Sequence, residues 1–497
     1  MDYKNEAREL VCNLQQRMGP SAYDIGWMAR LRAPDGGPRW PDLIDWLLDH
    51  QYSDGSWGGE IVYYHDRIIS TMSALIALKR NGFSRPAHDA VRRGEQYIWQ
   101  NLHLLAHDPI ELVGFELLLP TLLVDAQLLG LNVPPHACGY GDIQNEKLRL
   151  IPLEMLYSQR ASTVFSIEFL GRTPNEDSLR GVMGSNGSVG NSPSASAYFL
   201  TFFPDATPAW EYLENVHQVY QYAPFVYPFR TFDLVWVLNS LRFTGRPLTE
   251  FADPEHWRAL HAALTPQGIS FDPTFLVVDG DSTSATVRVL LDAGHAVDPC
   301  VLTSFQDPKT LLFRTYAFER NISISTNVHA LEALHYLPQF PERDATRDSV
   351  VTALLRQFTY DMYWTDKWNA SPYYVTSHAI VALLEEGETL THACLPSIEW
   401  ILHTQHDNGA WGHFQTSTAE ETAYALIALL HYHRRERLTD ISVLHRAAEY
   451  LASQVNNPME SLPPLYIGKV LYAPREIVRA TILAALILYE ETFGRSS

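Results

Sequence analysis

Apolar positions along this chain recur mostly at intervals of three and four, the spacing of one face of an α-helix. The stretch AEETAYALIALLHYH puts Ala423, Leu426, Ile427 and Leu430 on such a face, with Thr418 and Glu421 in front of it as a capping box. In SATVRVLLDAG, Val287, Leu290 and Leu291 share a face and Gly294 supplies a C-terminal stop. Similar patterns predict helices over 42–50, 67–80, 111–130, 231–242, 327–336, 349–360, 376–386, 395–404 and 475–490. No run of alternating residues with hairpin turns predicts a sheet. The expected fold class is all-α, its helices joined by Pro-, Gly- and Asn-rich loops.

One segment occurs twice. Residues 44–58 read IDWLLDHQYSDGSWG and residues 398–412 read IEWILHTQHDNGAWG, in register without a gap. In each, an apolar helix ends, a Gln follows, and an Asx-Gly turn presents a Trp. The Gln can cap exposed carbonyls while the Trp covers the helix end, so the motif reads as a structural clamp. Two distant copies predict two related helical domains. The Pro-rich QYAPFVYPFR sets their boundary near 225, giving domains 26–225 and 226–497, with residues 1–25 packing on the second.

The length of 497 residues fits two or three domains. A formal charge of −20 argues against a nucleic-acid partner, whose phosphates need Lys and Arg, and against adhesion to anionic membrane. It leaves room for a local basic pocket that takes a phosphorylated small molecule. Cys12, Cys138, Cys300 and Cys394 are scattered, which speaks against a disulfide scaffold or zinc ribbon. The start MDYKNEAREL lacks the pattern of a signal peptide, and the longest apolar run, near Ala480–Tyr489, is too short to span a bilayer. A cytoplasmic protein without a membrane span is expected. Aromatic residues make up 12% of the chain, mostly for core packing. The functional alternative is an aromatic-walled cavity, suited to sugars or to carbocations.

The sharpest local feature is FLVVDGDSTSATVRVL, where an apolar run delivers Asp279 and Asp281 to a helix start. Two carboxylates so spaced can hold a metal, share a proton, or cap the helix. Cations in aromatic or apolar context stand elsewhere: Lys367 in TDKWNASPYY, Lys469 and Arg475 in LYIGKVLYAPREIVRA, and Lys79 ending DRIISTMSALIALKR. They pair with buried Asp or Glu, or they hold a diphosphate.

The paired Gln…Gly-x-Trp clamps resemble the QW motifs of triterpene and class II diterpene cyclases. SAYDIGW (21–27), DGSWGGEIVYYHDRIIST (54–71), NGSVGNSPSASAYF (186–199), VDGDSTS (278–284), STNVHALEAL (325–334), TDKWNASPYY (365–374), AEETAYAL (419–426) and IGKVLYAP (467–474) are similar to segments of that family, in its order. The likeness is greatest to bacterial enzymes making halimadienyl, kolavenyl or copalyl diphosphate. It implies two α/α-barrels, called β and γ in the family, with the active site between them. The Asp-Asp-x-x-Asp motif of class I enzymes is absent, and so is the length for their α domain. The implied reaction is protonation-initiated cyclisation of geranylgeranyl diphosphate with the diphosphate retained.

The resemblance also assigns residues. In the family pattern Asp-x-Asp-Asp the middle carboxyl is the acid, here Asp281, with Asp279 as partner and Ser282 in place of the last Asp. A helix start favours a carboxylate anion, so burial and like-charge repulsion must outweigh it to keep a proton there. Trp236, Trp364, Tyr373 and Tyr424 are expected to line the cavity. Lys79, Lys367, Lys469 and Arg475 are the candidates for the diphosphate. Mg²⁺ is the implied cofactor, with Glu60 as a carboxylate near it. Copalyl-type enzymes carry a Leu-His-Ser-Leu-Glu segment whose His deprotonates the first bicyclic cation; here Val164-Phe165-Ser166-Ile167-Glu168 stands instead. Phe165 cannot accept a proton, which points to a rearranged halimadienyl or kolavenyl (clerodane) skeleton. The alternatives are an unrearranged copalyl product or, with other chemistry, an α/α-barrel glycoside hydrolase. A downstream enzyme that removes or ionises the diphosphate is the implied pathway partner.

Overall fold

The computed structural model describes residues 2–494 except 137–138, 318, 320, 359–361 and 415, so Cys138 lies outside the described residues. Two closed rings of helices make up the fold. The helices Arg230–Arg242, Gly280–Asp292, Ile324–His335, Pro372–Glu385, Ala419–Glu436 and Arg475–Phe493 each pack on the next, and the last returns to the first. Outside this ring lie Pro254–Ala263, Arg343–Arg356, Leu395–His403 and Ser442–Gln454. The N-terminal helix Tyr3–Cys12 joins them, with Ala7 and Val11 buried on Arg475–Phe493 and Arg230–Arg242. The other ring, first in chain order and hereafter the first ring, comprises Ala22–Met28, Tyr64–Asn81, Phe115–Leu128, the 3₁₀ segment Ser162–Leu170 and Pro193–Phe202, again closing on itself. This double α/α-barrel has no third helical domain among the described residues.

Inner helices are buried almost all round, which is why they read as strong apolar runs; Gly280 to Leu290 is buried throughout. That helix ends at Asp292, where Gly294 takes φ +81° and its N–H bonds the Leu291 carbonyl. Thr418 caps the helix Ala419–Glu436 by accepting the Glu421 N–H at 3.1 Å.

One strut recurs around both rings. A hydroxyl or amide oxygen in the first turns of an inner helix accepts the backbone N–H of the loop before it. The pairs are Trp57–Thr71, Val189–Ser196, Ile269–Thr283, Phe313–Asn327, Trp364–Thr376 and Trp411–Thr422, all between 2.9 and 3.1 Å. The repeated sequence segment adds a second tie. Trp57 Nε1 donates to the Leu47 carbonyl at 2.7 Å, and Trp411 Nε1 to the Ile401 carbonyl at 2.8 Å, each in the last turn of the preceding helix. Gln51 donates to the Gly55 and Ala90 carbonyls, and Gln405 to those of Gly409 and Val443. The glycines are required: both have positive φ, and a Cβ would meet the Arg93 carbonyl oxygen at 2.5 Å or that of Arg446 at 2.7 Å.

The sequence pattern contained no hairpin, yet a short one matters. Tyr466–Ile467 pairs antiparallel with Leu471–Tyr472 and carries Lys469 at its tip into the first ring.

Candidate active site

The apolar run ending at Val278 brings the chain to Asp279, the N-cap of the helix Gly280–Asp292, with extended backbone and a side chain accepting the Ser282 N–H at 2.6 Å. Burial dominates its electrostatics. Desolvation and the neighbouring Asp281 charge raise the carboxyl, hydrogen bonds from Ser282 and Asp281 oppose the rise, and the result is a pKa of about 7. Burial thus outweighs the helix start, and Asp279 is near half-protonated at neutral pH.

Asp281, in the first helical turn, projects into the ring. Its Oδ1 lies 2.6 Å from Nδ1 of His329 on the neighbouring inner helix. The Asp281 side chain keeps 10% of its surface accessible and that of His329 keeps none, so the carboxyl has an open side and the imidazole does not. Burial opposes the imidazolium, but the charge and hydrogen bond of Asp281 outweigh it, and the pKa of His329 is raised. Its Nε2 lies 3.0 Å from Nδ1 of His378, a ring that burial holds neutral, well below its ordinary pKa. Trp236 meets His329 edge-on at 5.0 Å.

An aromatic wall runs from this acid towards the first ring. Tyr374 lies 4.6 Å from His378 and 5.3 Å from Tyr424. The Tyr424 hydroxyl is 3.0 Å from that of Tyr466. Tyr466 neighbours Tyr472, which stacks on Phe225 at 4.6 Å, and Phe225 meets Phe165 at 5.0 Å. Burial, then the charges of Asp279 and Asp281, raise the Tyr472 hydroxyl, so this hairpin residue lies within reach of the acid's field.

Several residues expected at the site stand elsewhere. Trp364 is a third clamp: its Nε1 donates to the Leu354 carbonyl at 2.8 Å, it is fully buried, and it has no cavity face to offer. Tyr373 turns outward, stacking on Trp400 at 4.6 Å and donating to Thr404. Its neighbour Tyr374 takes the inner face. Lys469 has no donor left for a diphosphate, because its buried ammonium is bonded to the Phe165 carbonyl, Glu168, Ser192 and Ser194 at 2.6 to 3.0 Å. Lys367 is ion-paired with Glu319 and donates to the Asn321 carbonyl. Lys79 is exposed in the last turn of Tyr64–Asn81. Arg475 is buried beside Tyr222, 3.4 Å from its hydroxyl. Lys367, Lys469 and Arg475 are engaged by different partners, and Lys79 faces solvent. Glu60 is exposed, and its backbone carbonyl rather than its carboxylate is engaged, by Arg67. Among the described residues no group of three or more His, Cys, Asp or Glu is placed to hold a metal ion. No helix is long and apolar enough to cross a membrane among the described residues.

The residues missed by sequence reasoning are His329, His378, Tyr374 and Tyr466. The two histidines had one available signal, an imidazole among the buried positions of a helix, but that pattern also fits an ordinary core residue.

No protein-family model matches the chain. A type B diterpene cyclase of Mycobacterium tuberculosis is 33% identical, covering 95% of this chain and 96% of its own. A (+)-kolavenyl diphosphate synthase of Herpetosiphon aurantiacus is 28% identical over 97% and 96%. The solved ent-copalyl diphosphate synthase of Streptomyces platensis superposes with a TM-score of 0.81 at 27% identity, covering 98% and 99% of the two chains. The coverage spans both rings, including the acid, the aromatic wall and the hairpin. With its buried carboxyl pair, its twin α/α-barrels and a likeness that extends end to end, the chain belongs to the class II diterpene cyclases, isomerase-type enzymes.

Proposed function

We propose that the protein converts geranylgeranyl diphosphate into a rearranged bicyclic diterpenyl diphosphate of the kolavenyl or halimadienyl type. The observation that carries the acid step is the Asp281–His329 pair: a nearly buried carboxyl with one open side, bonded to a fully buried imidazole that meets the Trp236 ring. Asp281 adds its proton to the terminal C=C bond, forming a C–H bond and a tertiary cation. Two further C=C bonds close rings in turn, each shifting the cation inward. Aromatic faces of Trp236, Tyr374, Tyr424, Tyr466 and Tyr472 stabilise the moving charge by cation–π attraction. Hydride and methyl shifts relocate it, and loss of a proton leaves a new C=C bond. Protons balance and the diphosphate is untouched, so the reaction is an isomerisation. Asp279, its carboxyl raised by burial and by the Asp281 charge, stands beside the acid, and Ser282 helps hold the Asp279 carboxyl without adding charge.

The rearranged outcome is supported by Phe165. Its ring sits among Phe225, Phe271 and Phe275, none of which accepts a proton, so nothing in that cluster stops the first bicyclic cation. A copalyl product is the second reading, favoured by the fold likeness to an ent-copalyl enzyme. Magnesium enters this reading only as a companion of the diphosphate. The compartment is the cytoplasm, and the next enzyme removes or ionises the diphosphate.

The test is incubation with geranylgeranyl diphosphate, dephosphorylation, and identification of the alcohol by mass spectrometry and NMR. Recovery of acyclic geranylgeraniol alone would refute the cyclase reading. Asp281→Asn is expected to lower turnover by about 10²–10⁴-fold with the fold intact; near-normal turnover would remove Asp281 as the acid.

A further inference from the structure

We propose that His378 is a positioning residue that sets the tautomer of His329, and with it which oxygen of Asp281 carries the catalytic proton. The inference rests on the reading of Asp281 as the acid. Its basis is a relay across three neighbouring inner helices: Asp281 Oδ1 to His329 Nδ1 at 2.6 Å, then His329 Nε2 to His378 Nδ1 at 3.0 Å.

Two ring nitrogens 3.0 Å apart need one proton between them, since two lone pairs or two N–H groups repel. If that proton belongs to His329 Nε2, a neutral His329 has a bare Nδ1. Asp281 must then turn its own O–H towards His329 and away from the substrate. If His329 carries both protons, Asp281 is a carboxylate with nothing to give. Only the third arrangement makes a directed acid. His378 donates its Nδ1–H to His329 Nε2, and His329 donates its Nδ1–H to Asp281 Oδ1. The carboxyl proton then sits on Oδ2, free to face the cavity.

Burial favours this uncharged state, while the Asp281 charge favours an imidazolium at His329. His329 faces Asp281 on one neighbouring helix, Arg242 on another, and Glu332 one turn along its own. Arg242 is bonded to Glu332 at 2.7 Å, so the pair nearly cancels. His378 faces His329 and Arg242, both of which disfavour its protonation, and it packs on Phe243, Tyr374 and Tyr424. Burial keeps it a neutral ring with a single N–H to give. His431, beyond Phe243, is likewise held neutral by burial, with its pKa lowered to about 4. The third state leaves Asp281, His329 and His378 all uncharged, and His378 disfavours the competing imidazolium–carboxylate pair by offering His329 Nε2 an N–H rather than a lone pair.

Replacement variants separate this role from packing. Asn places an amide N–H near the Nδ1 position of His, whereas Gln places it near Nε2. His378→Asn is expected to keep kcat within about threefold, while His378→Gln and His378→Phe lose about 100-fold in kcat with KM unchanged. Each variant is checked by circular dichroism and melting temperature. Equal impairment of the Asn and Gln variants, or a normal kcat for both Gln and Phe, would overturn the proposal. ¹⁵N-histidine NMR on the full chain gives a readout independent of turnover. His329, identified by the resonance missing from His329→Asn, should be protonated on Nδ1 in the wild type and in His378→Asn, but not in His378→Phe. Protonation on Nε2 in the wild type would also overturn it. If the wild type does not cyclise the substrate while the NMR result holds, the cyclase reading fails and the tautomer assignment stands.

Discussion

Asp279→Asn isolates the cost of keeping a carboxyl at the buried helix start. Asp279 titrates at about 7 in the folded protein against an ordinary value of 3.8. Below pH 3.8 it is protonated in both folded and unfolded chains and contributes no difference. As pH rises from there to 7, the unfolded chain releases the proton and the folded one retains it, so stability falls by about 1.4 kcal/mol per pH unit. Above pH 7 both states are ionised and the full cost, about 4 kcal/mol, is in place. Asn keeps the oxygen that accepts the Ser282 N–H and removes the titration. The variant should therefore match the wild type in stability near pH 4 and exceed it by up to about 4 kcal/mol at pH 8. Urea unfolding at a series of pH values, followed by circular dichroism, measures the difference. A difference that stays flat between pH 4 and pH 8 would show that Asp279 is not held protonated by its burial.

Three further outcomes follow from the same geometry. Trp411→Phe keeps the ring but loses the bond to the Ile401 carbonyl, and should cost about 1–2 kcal/mol in thermal or urea unfolding; an unchanged midpoint would strip the clamp of its tie. Lys469→Met leaves Glu168 charged and buried between the rings, and should destabilise by about 3–5 kcal/mol, while adding Glu168→Gln should restore much of the loss. No recovery in the double variant would mean that Lys469 matters through something other than this pair. Phe165→His puts an imidazole beside the Lys469 ammonium, which lies 4.6 Å from the present ring and would keep the new base neutral. Products should shift towards less rearranged skeletons by mass spectrometry, and an unchanged mixture would remove Phe165 from control of the outcome.

What the sequence reveals depends on how local the cause is. Ala419–Glu436 and Gly280–Asp292 are legible because an inner barrel helix is buried on nearly every side and must write an apolar run. Asp279 is legible because an N-cap bonds only three residues ahead. The clamps are legible because each Trp reaches back ten residues to a helix-end carbonyl. Trp364 does not read as a clamp because the same tie occurs there with Phe358 and Met362 in place of the repeat's Gln and Gly. The Asp281–His329–His378 relay is not legible, since its partners lie 48 and 49 residues apart and meet only when the ring closes. Tyr373 and Tyr374 cannot be told apart by composition either, because adjacent helical positions point about 100° apart. Which one faces inward is set by the packing of the helix.

The cations expose a limit of charge arithmetic. In a chain of net charge −20, a lysine in apolar context invites the reading that it waits for an anionic ligand. For Lys469 the anion is already present: Glu168 is 3.0 Å away, and both side chains are fully buried. A buried ion pair is weak evidence of stabilisation, because desolvation offsets the attraction. Its consequence here is positional. Lys469 sits at the tip of the hairpin whose strands carry Tyr466 and Tyr472, and its partners Glu168, Ser192 and Ser194 all belong to the first ring. A bond from the Leu471 N–H to Asp66, also in the first ring, fixes the hairpin a second time. The aromatic wall beside Asp281 is therefore anchored in the opposite barrel from the acid. A cavity assembled from two barrels keeps its shape only if they hold register, and this buried polar lock supplies that register where apolar contact alone would let the rings slide.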